Sequence, residues 1–406
     1  MRKLLFFAFL TISATIFAQE VKYDLRVDSV TYQYYLKGDW NQLIDSGKKA
    51  LRDNIDFKFL RQRIAYAYFM KGNYFASQQQ YEKALLYDDQ DIYTKTYLYY
   101  CGLYTGNKTY TRYREGLLPD SLKTKLGIKP VKLISSLDCE YNYKSNNSII
   151  HGNPSYLRGG IESQLGYRVN LYQAVSNYTQ NNDSSSIKQN EYFASFNWAM
   201  SPHLALSFGY HFLNSKITSY SSHNNYLAGP HNTSLKVKVT DTLSYSLPGY
   251  MFNTKLTYTL NRFDFGLSGS IFSYDSTITK QYGAHIGVVL PGEMNVYLKS
   301  SLYGIFASKN SKKIIFSQSA GALIFKKLWA EGELTLGNLN NFSDNNGMYI
   351  YNSLDPTTFR TGLSLFWNVL PKLTLFGNYT YDQKLIEINK TNYNQHSISS
   401  GIIWKL

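Results

Sequence analysis

Two hydrophobic periods divide the chain. Over residues 19 to about 125, apolar side chains recur at three and four positions, as at Ile64, Tyr68, Phe75, Tyr81, Ala84 and Leu85. No proline interrupts the stretch before Pro119, so the pattern predicts helices. After Pro130 the period drops to 2 and stays there. Leu204, Leu206, Phe208, Tyr210 and Phe212 alternate with His203, Ala205, Ser207, Gly209 and His211. Leu373, Leu375, Tyr379 and Tyr381 alternate with Lys372, Thr374, Asn378 and Thr380, and the last run sets Ile398, Ile402 and Trp404 against Ser399, Gly401 and Lys405. Runs of 10 to 14 residues are long for globular strands, which average about five or six. They fit tilted membrane-crossing strands of about 9–11 residues with some overhang.

Turn signals punctuate this second region at Arg168-Val169-Asn170, Ser201-Pro202, Asn261-Arg262, Pro291-Gly292-Glu293, Lys326-Lys327 and Pro371. Between them lie longer polar connections rich in Asn and Ser, including 214–248 and 338–355. Short turns at one rim and long loops at the other predict an antiparallel barrel of about fourteen strands over residues 131–406. An even number returns both ends of the barrel to one side. The expected fold class is therefore α+β, multidomain, with N-terminal helices followed by a transmembrane β-barrel.

Composition narrows the choice. The 406 residues include 38 Tyr, 23 Phe and 5 Trp, while only 17% are charged. No stretch beyond residue 20 holds 18 consecutive apolar residues, which excludes a helical polytopic membrane protein. Two cysteines, Cys101 and Cys139, exclude a disulfide scaffold and leave one bridge as an open question. The net charge of +14 is spread along the chain rather than gathered in the dense stripe that nucleic acid requires. Within the strands, charge is partitioned by face. Tyr192, Phe196 and Trp198, and Phe263, Phe265, Leu267 and Ile271, form stripes without charge. Lys255, Asp264, Lys299, Glu331, Glu333, Arg360 and Lys405 fall on the opposite stripes. A charge facing lipid at mid-depth costs about 2–4 kcal/mol, so the charged stripes are expected to face a wet lumen. Excess Tyr and Trp suit interfacial girdles, and the partner implied for the barrel's outside is outer-membrane lipid. At the start, Arg2 and Lys3 precede an apolar run to Phe17 and Ala18, the pattern of a secretory signal peptide over residues 1–18.

Residues 19–126 carry an internal period. Gly38-Asp39-Trp40 recurs as Gly72-Asn73-Tyr74 and again as Gly106-Asn107; Tyr34 maps onto Tyr68, and Ala50-Leu51 onto Ala84-Leu85. The spacing of 34 residues, with Tyr68, Gly72, Tyr74, Tyr81, Ala84 and Leu85, resembles the tetratricopeptide repeat. It departs at Ser77, where that family prefers Ala, and at Asp89, where it prefers Pro. The resemblance implies a periplasmic helical domain with a surface for a protein partner or cargo. The joined layout resembles surface-lipoprotein assembly modulators, and more loosely YaiO-type barrels. The final strand resembles the assembly signal of outer-membrane barrels, with its aromatic, Trp404, two residues early.

Candidate chemistry is sparse. His151, His203, His211, His223, His231, His285 and His396 form no HExxH pair and no zinc-like spacing. His211 with Ser215 is a possible hydrolase pair of the kind any Ser-rich barrel supplies, and Glu331 with Glu333 is a possible acid/base pair, although lumenal ion pairing explains them more simply. There is no phosphate loop or dinucleotide fingerprint. No catalytic, cofactor-binding or metal residues are therefore assigned. The expected role is a non-enzymatic barrel of the bacterial outer membrane, its repeats recruiting cargo for surface transport, display or assembly. A passive or solute-selective channel is the alternative, and an outer-membrane hydrolase the less favoured one.

Overall fold

A computed structural model describes residues 23–148, 151–228, 234–290, 292, 294–307, 311–352, 355–386 and 390–406, with the backbone alone for 223–240. The expected signal peptide lies outside the described residues. The chain divides after Cys101 into two units.

The first unit is built from α1 (Leu25–Lys37), α2 (Trp40–Arg52), α3 (Lys58–Met70), α4 (Tyr74–Leu85) and most of α5 (Ile92–Tyr104). Helix-end chemistry carries the 34-residue period. Gly38, Gly72 and Gly106 each take a left-handed φ near +70° (71, 72 and 69°) just past α1, α3 and α5. One residue later, Asp39 and Asn73 accept hydrogen bonds from the backbone N–H groups of Gln42 and Ala76, starting α2 and α4. Leu43, Ile44, Leu60 and Ile64 form the core between α2 and α3. Gly47 lets those helices touch, since a Cβ there would lie 2.5 Å from Ile64 Cγ1. Ser77, the departure from the repeat pattern, is fully buried and accepts from Cys101 Sγ at 3.4 Å. Cys101, buried, and Cys139, exposed, are not bridged to one another.

The second unit opens with two short helices, α6 (Lys108–Glu115) and α7 (Asp120–Lys125). The strands follow: β1 (Ile134–Asn146), β2 (Ser155–Gln164), β3 (Val169–Asn181), β4 (Ser185–Ala199), β5 (Leu204–Ala228), β6 (Ser234–Leu260), β7 (Phe263–Tyr274), β8 (Thr277–Val289), β9 (Tyr297–Ala307), β10 (Lys312–Phe325), β11 (Leu328–Leu336), β12 (Phe342–Asp344), β13 (Tyr349–Tyr351), β14 (Thr357–Leu370), β15 (Leu373–Ile386) and β16 (Thr391–Lys405). All but β12 and β13 form one closed antiparallel barrel of fourteen strands, sealed by β1 pairing with β16 from Ser136↔Lys405 to Asn146↔Gln395. Closure leaves no unpaired edge in the membrane, which lipid demands. The alternation holds: Leu267, Ile271, Ile398 and Trp404 are more than 45% exposed on the outside, while His211, Ser215, Ser397 and Ser399 are buried inside. Arg168 stacks over Tyr113 at 4.2 Å and Lys123 over Tyr167 at 4.6 Å, seating α6 and α7 on the β2–β3 turn.

Five of the six expected turns fall between successive strands as tight connections, and of Pro291-Gly292-Glu293, between β8 and β9, only Gly292 is among the described residues. The long polar ones require correction. Residues 214–228 and 234–248 are not loop, because β5 and β6 continue pairing from Leu204↔Tyr258 to Ala228↔Ser234, and 229–233 lie outside the described residues. Beyond Tyr220 on β5 and before Gly249 on β6 they pair, among the described residues, with no other strand, and form a projecting two-stranded arm. The β6 side carries a period-2 signal, Leu235, Val237, Val239, Leu243, Tyr245 and Leu247 alternating with Lys236, Lys238, Thr240, Ser244 and Ser246, which the Asn- and Ser-rich composition of the whole segment conceals. The rim opposite the six turns is also not uniformly long-looped, since β7 and β8 are joined by Asp275 and Ser276 alone, both at positive φ.

Candidate functional site

The second correction defines the site. Residues 337–352, between β11 and β14, turn into the barrel instead of standing above it. β12 and β13 pair as a short hairpin, with a one-turn 3-10 segment at Asn345–Gly347 between them. Asparagines make the reversal feasible: Asn341, Asn345 and Asn346 hold φ of 61, 46 and 56°, a region this side chain tolerates better than most. Gly347 is required at the tip. Its φ is +87°, and a Cβ would fall 2.3 Å from Met251 Cε.

Two apolar contacts anchor the hairpin. Leu339 and Phe342 are buried against Ile305 and Ile315, with the Phe342 ring 5.1 Å from Tyr303. Ile350 packs on Leu213, Met251 and Phe272. A buried side chain of this size contributes about 1.5–3 kcal/mol. They also explain why inward stripes of a wet barrel carry Ile305, Ile315, Met251 and Phe272: the inserted hairpin covers them.

The rest of the interface is polar. Ser343 N–H donates to Gln281 Oε1 at 3.0 Å, and Gln281 Nε2 donates back to the Ser343 carbonyl at 2.9 Å. His211 Nδ1 lies 2.9 Å from the Gly347 carbonyl. Tyr349 is held between Arg158, which donates to its hydroxyl at 3.3 Å, and Glu140, which accepts from it at 3.2 Å. Arg158 in turn pairs with Glu140 at 2.9 Å and Asp138 at 3.4 Å. Across the lumen Arg360 lies over the Tyr351 ring at 5.3 Å and reaches both Glu333 and Asp382 at 3.2 Å. Asn352 donates to Gln189 at 2.8 Å, and His151 meets Asp355 at 2.6 Å. The hairpin thus touches strands all round the barrel. It leaves a cavity of about 880 Å³ lined by Asp, Glu, Lys, Arg, Tyr, Asn and Ser side chains.

The residues singled out from sequence find their places here. Lys255, Lys299, Glu331, Glu333 and Arg360 line the cavity, and Asp264 bonds His285, which also lines it, at 3.0 Å. His211 and Ser215 are not brought together as a nucleophile and base, because Ser215 donates to Gln189 at 2.5 Å while His211 serves the hairpin. His203 bonds the Thr259 carbonyl, and His396 the Tyr379 hydroxyl. His231, and the side chain of His223, lie outside the described residues. Sequence reasoning missed Arg158, Asp138, Glu140, Asp382, Glu191 and the hairpin itself. One signal was available: Leu339, Phe342 and Ile350 are apolar residues inside an Asn-rich connection, where a solvated loop has no use for them.

No family model matches this chain, and no curated protein does. Among solved structures it is similar to the CymD monoaromatic hydrocarbon channel, at 8% identity and TM-score 0.48, covering 68% of this chain and 89% of that one. A Pseudomonas putida toluene transporter, TodX, matches at 6% identity and TM-score 0.45, covering 74% and 93%. The KdgM porin matches at 9% identity and TM-score 0.32, covering 66% and 99%. The chain forms a closed fourteen-strand antiparallel barrel whose outer stripes are apolar.

Proposed function

We propose that this protein is a gated, solute-selective channel of the outer membrane, working without catalysis, with its N-terminal helices on the periplasmic side. The observation that carries the reading is the inserted hairpin, held mainly by polar contacts within a charged lumen. Hydrogen bonds exchanged for water contribute only about 0.5–1.5 kcal/mol each, and the apolar hold is confined to Leu339, Phe342 and Ile350, so the plug is displaceable at a modest cost. Paired acids and bases on the wall favour polar solutes that are neutral or zwitterionic over hydrocarbons, since no single sign dominates.

Liposome swelling with uncharged sugars of graded size tests this. Wild-type vesicles should swell slowly, and a variant with residues 339–352 replaced by a Gly/Ser linker should swell quickly with a sharp size limit. If both stay impermeable, the channel reading fails. A second reading, recruitment of a periplasmic partner, is favoured by Tyr32, Phe59 and Tyr93, which leave large rings exposed on α1, α3 and α5. A photo-crosslinker at Phe59 of the full chain should then trap one discrete protein.

A further inference from the structure

The outer face of the barrel carries its charge in an uneven way. Apart from Asp241 in the projecting arm, every described strand-borne carboxylate faces the lumen, as with Glu191 and Asp382, which line the cavity. Lysine does not follow that rule. Lys188 and Lys216 are exposed on the outside, each flanked by two residues that line the cavity (Ile187 and Gln189, Ser215 and Ile217). They stand directly opposite one another on β4 and β5. Lys280 and Lys312 are likewise exposed, and both are register partners of Phe306, one from each side. Among the described residues, none of these four lysines forms an ion pair.

Like charges placed opposite each other on one sheet face are destabilising unless something lies between them. Here Lys188 and Lys216 stand so, and Lys280 and Lys312 flank Phe306 from the two neighbouring strands, all four toward one rim. Lys188 and Lys280 each sit three residues in from the start of their strand, Ser185 and Thr277, and Lys312 begins β10. That rim is the one away from the six expected turns. Immediately below lies the lipid-facing apolar surface, with Tyr282 58% exposed, Leu302 56% and Ile314 73%, and with the Tyr282 and Phe306 rings 6.0 Å apart. Lys280 and Lys312 are two strands apart, roughly 10 Å, so two flexible ammonium groups can converge on one anion above Phe306. Positive charge on outer strand faces that carry no carboxylate there, set above an apolar surface, matches an anionic lipid headgroup, with Asp183 and Asp275 confined to the neighbouring connections.

We propose that these two lysine pairs are binding sites for the phosphate groups of outer-leaflet lipid. Phosphate sits between the lysines, and the acyl chains run down over Tyr282, Leu302 and Ile314. The sites anchor the barrel at a fixed height and orient it in the leaflet. They rest on the barrel's place in the membrane and are independent of what the lumen conducts.

The test uses the full chain, delipidated in detergent and titrated by native mass spectrometry. The probes are lipid A bearing two phosphates, the same lipid with both phosphates removed, and inorganic phosphate. The phosphorylated lipid should bind at least tenfold more tightly than the stripped one, a comparison that needs no variant. Lys188→Gln with Lys216→Gln, and Lys280→Gln with Lys312→Gln, should each weaken it about tenfold while the boiled-versus-unboiled gel shift persists, and the corresponding Arg pairs should keep it. Equal binding of stripped lipid, or Gln variants that bind as wild type, would overturn the proposal. So would competition by inorganic phosphate at the concentrations where the lipid saturates, which would make this a site for a free anion.

Discussion

At the scale of single residues, position in the barrel decides what a side chain is worth. Gly347 is the tightest point of the inserted hairpin, with its left-handed φ and Met251 against the missing Cβ. Gly347→Val should weaken the hairpin's hold by about 1–3 kcal/mol and quicken liposome swelling, leaving the heat-dependent gel shift intact. Arg360 bridges hairpin and wall, and Arg360→Met would remove the ion-pair partner that Glu333 and Asp382 share. In a partly wet lumen that should cost about 1–3 kcal/mol, read as a lower melting temperature of the purified barrel. In the helical unit, the Lys58 ammonium and the Gln90 backbone N–H hold the Asp88 carboxyl below its usual range. The folded unit therefore gains a little stability above the ordinary carboxylate range and loses it as pH falls through the lowered value. Lys58→Met should raise the Asp88 midpoint, observable by carboxyl-carbon NMR titration.

At the scale of elements, the helix caps and the arm behave as separable parts. Asn73 closes the first turn of α4 through Ala76 N–H at 3.2 Å. Asn73→Ala should cost about 1 kcal/mol, seen as a lower first transition in helical circular dichroism while the barrel signal is unmoved. Outside the shared part of the sheet, the β5–β6 arm pairs only with itself. Deleting 221–241 and closing with Asn-Gly should leave barrel folding unchanged, because no neighbouring strand loses a partner. A loss of the gel shift would mean the arm takes part in assembly. The strands themselves were legible in sequence because one face must meet lipid and the other water, as on Phe263–Tyr274. The arm was harder to read: its β6 half alternates, Leu235, Val237 and Val239 against Lys236, Lys238 and Thr240, but its Ser- and Asn-rich composition resembles that of a loop.

At the scale of the whole molecule, two units with different solvents share one chain. A chain beginning at Gly102 keeps α6 and α7 on the β2–β3 turn and should still give a barrel that runs faster unboiled than boiled. One beginning at Pro130 lacks the Tyr113–Arg168 and Lys123–Tyr167 contacts and should melt at a lower temperature. Closure, strand number and the inward turn of charge were all determined by the sequence alone. Each is a local consequence: period-2 alternation selects a face, charge is excluded from lipid, and turn residues mark where strands reverse. The 34-residue helix period was equally local, since it is written in glycines and caps at helix ends. Only the tertiary structure decided that 337–352 enters the lumen, that Phe272 and Ile315 are dry on a wet stripe, and that Arg158 meets Glu140 and Tyr349. Those outcomes depend on residues up to some 190 positions apart meeting across a closed cylinder. No periodicity along the chain encodes which wall a folded loop will touch.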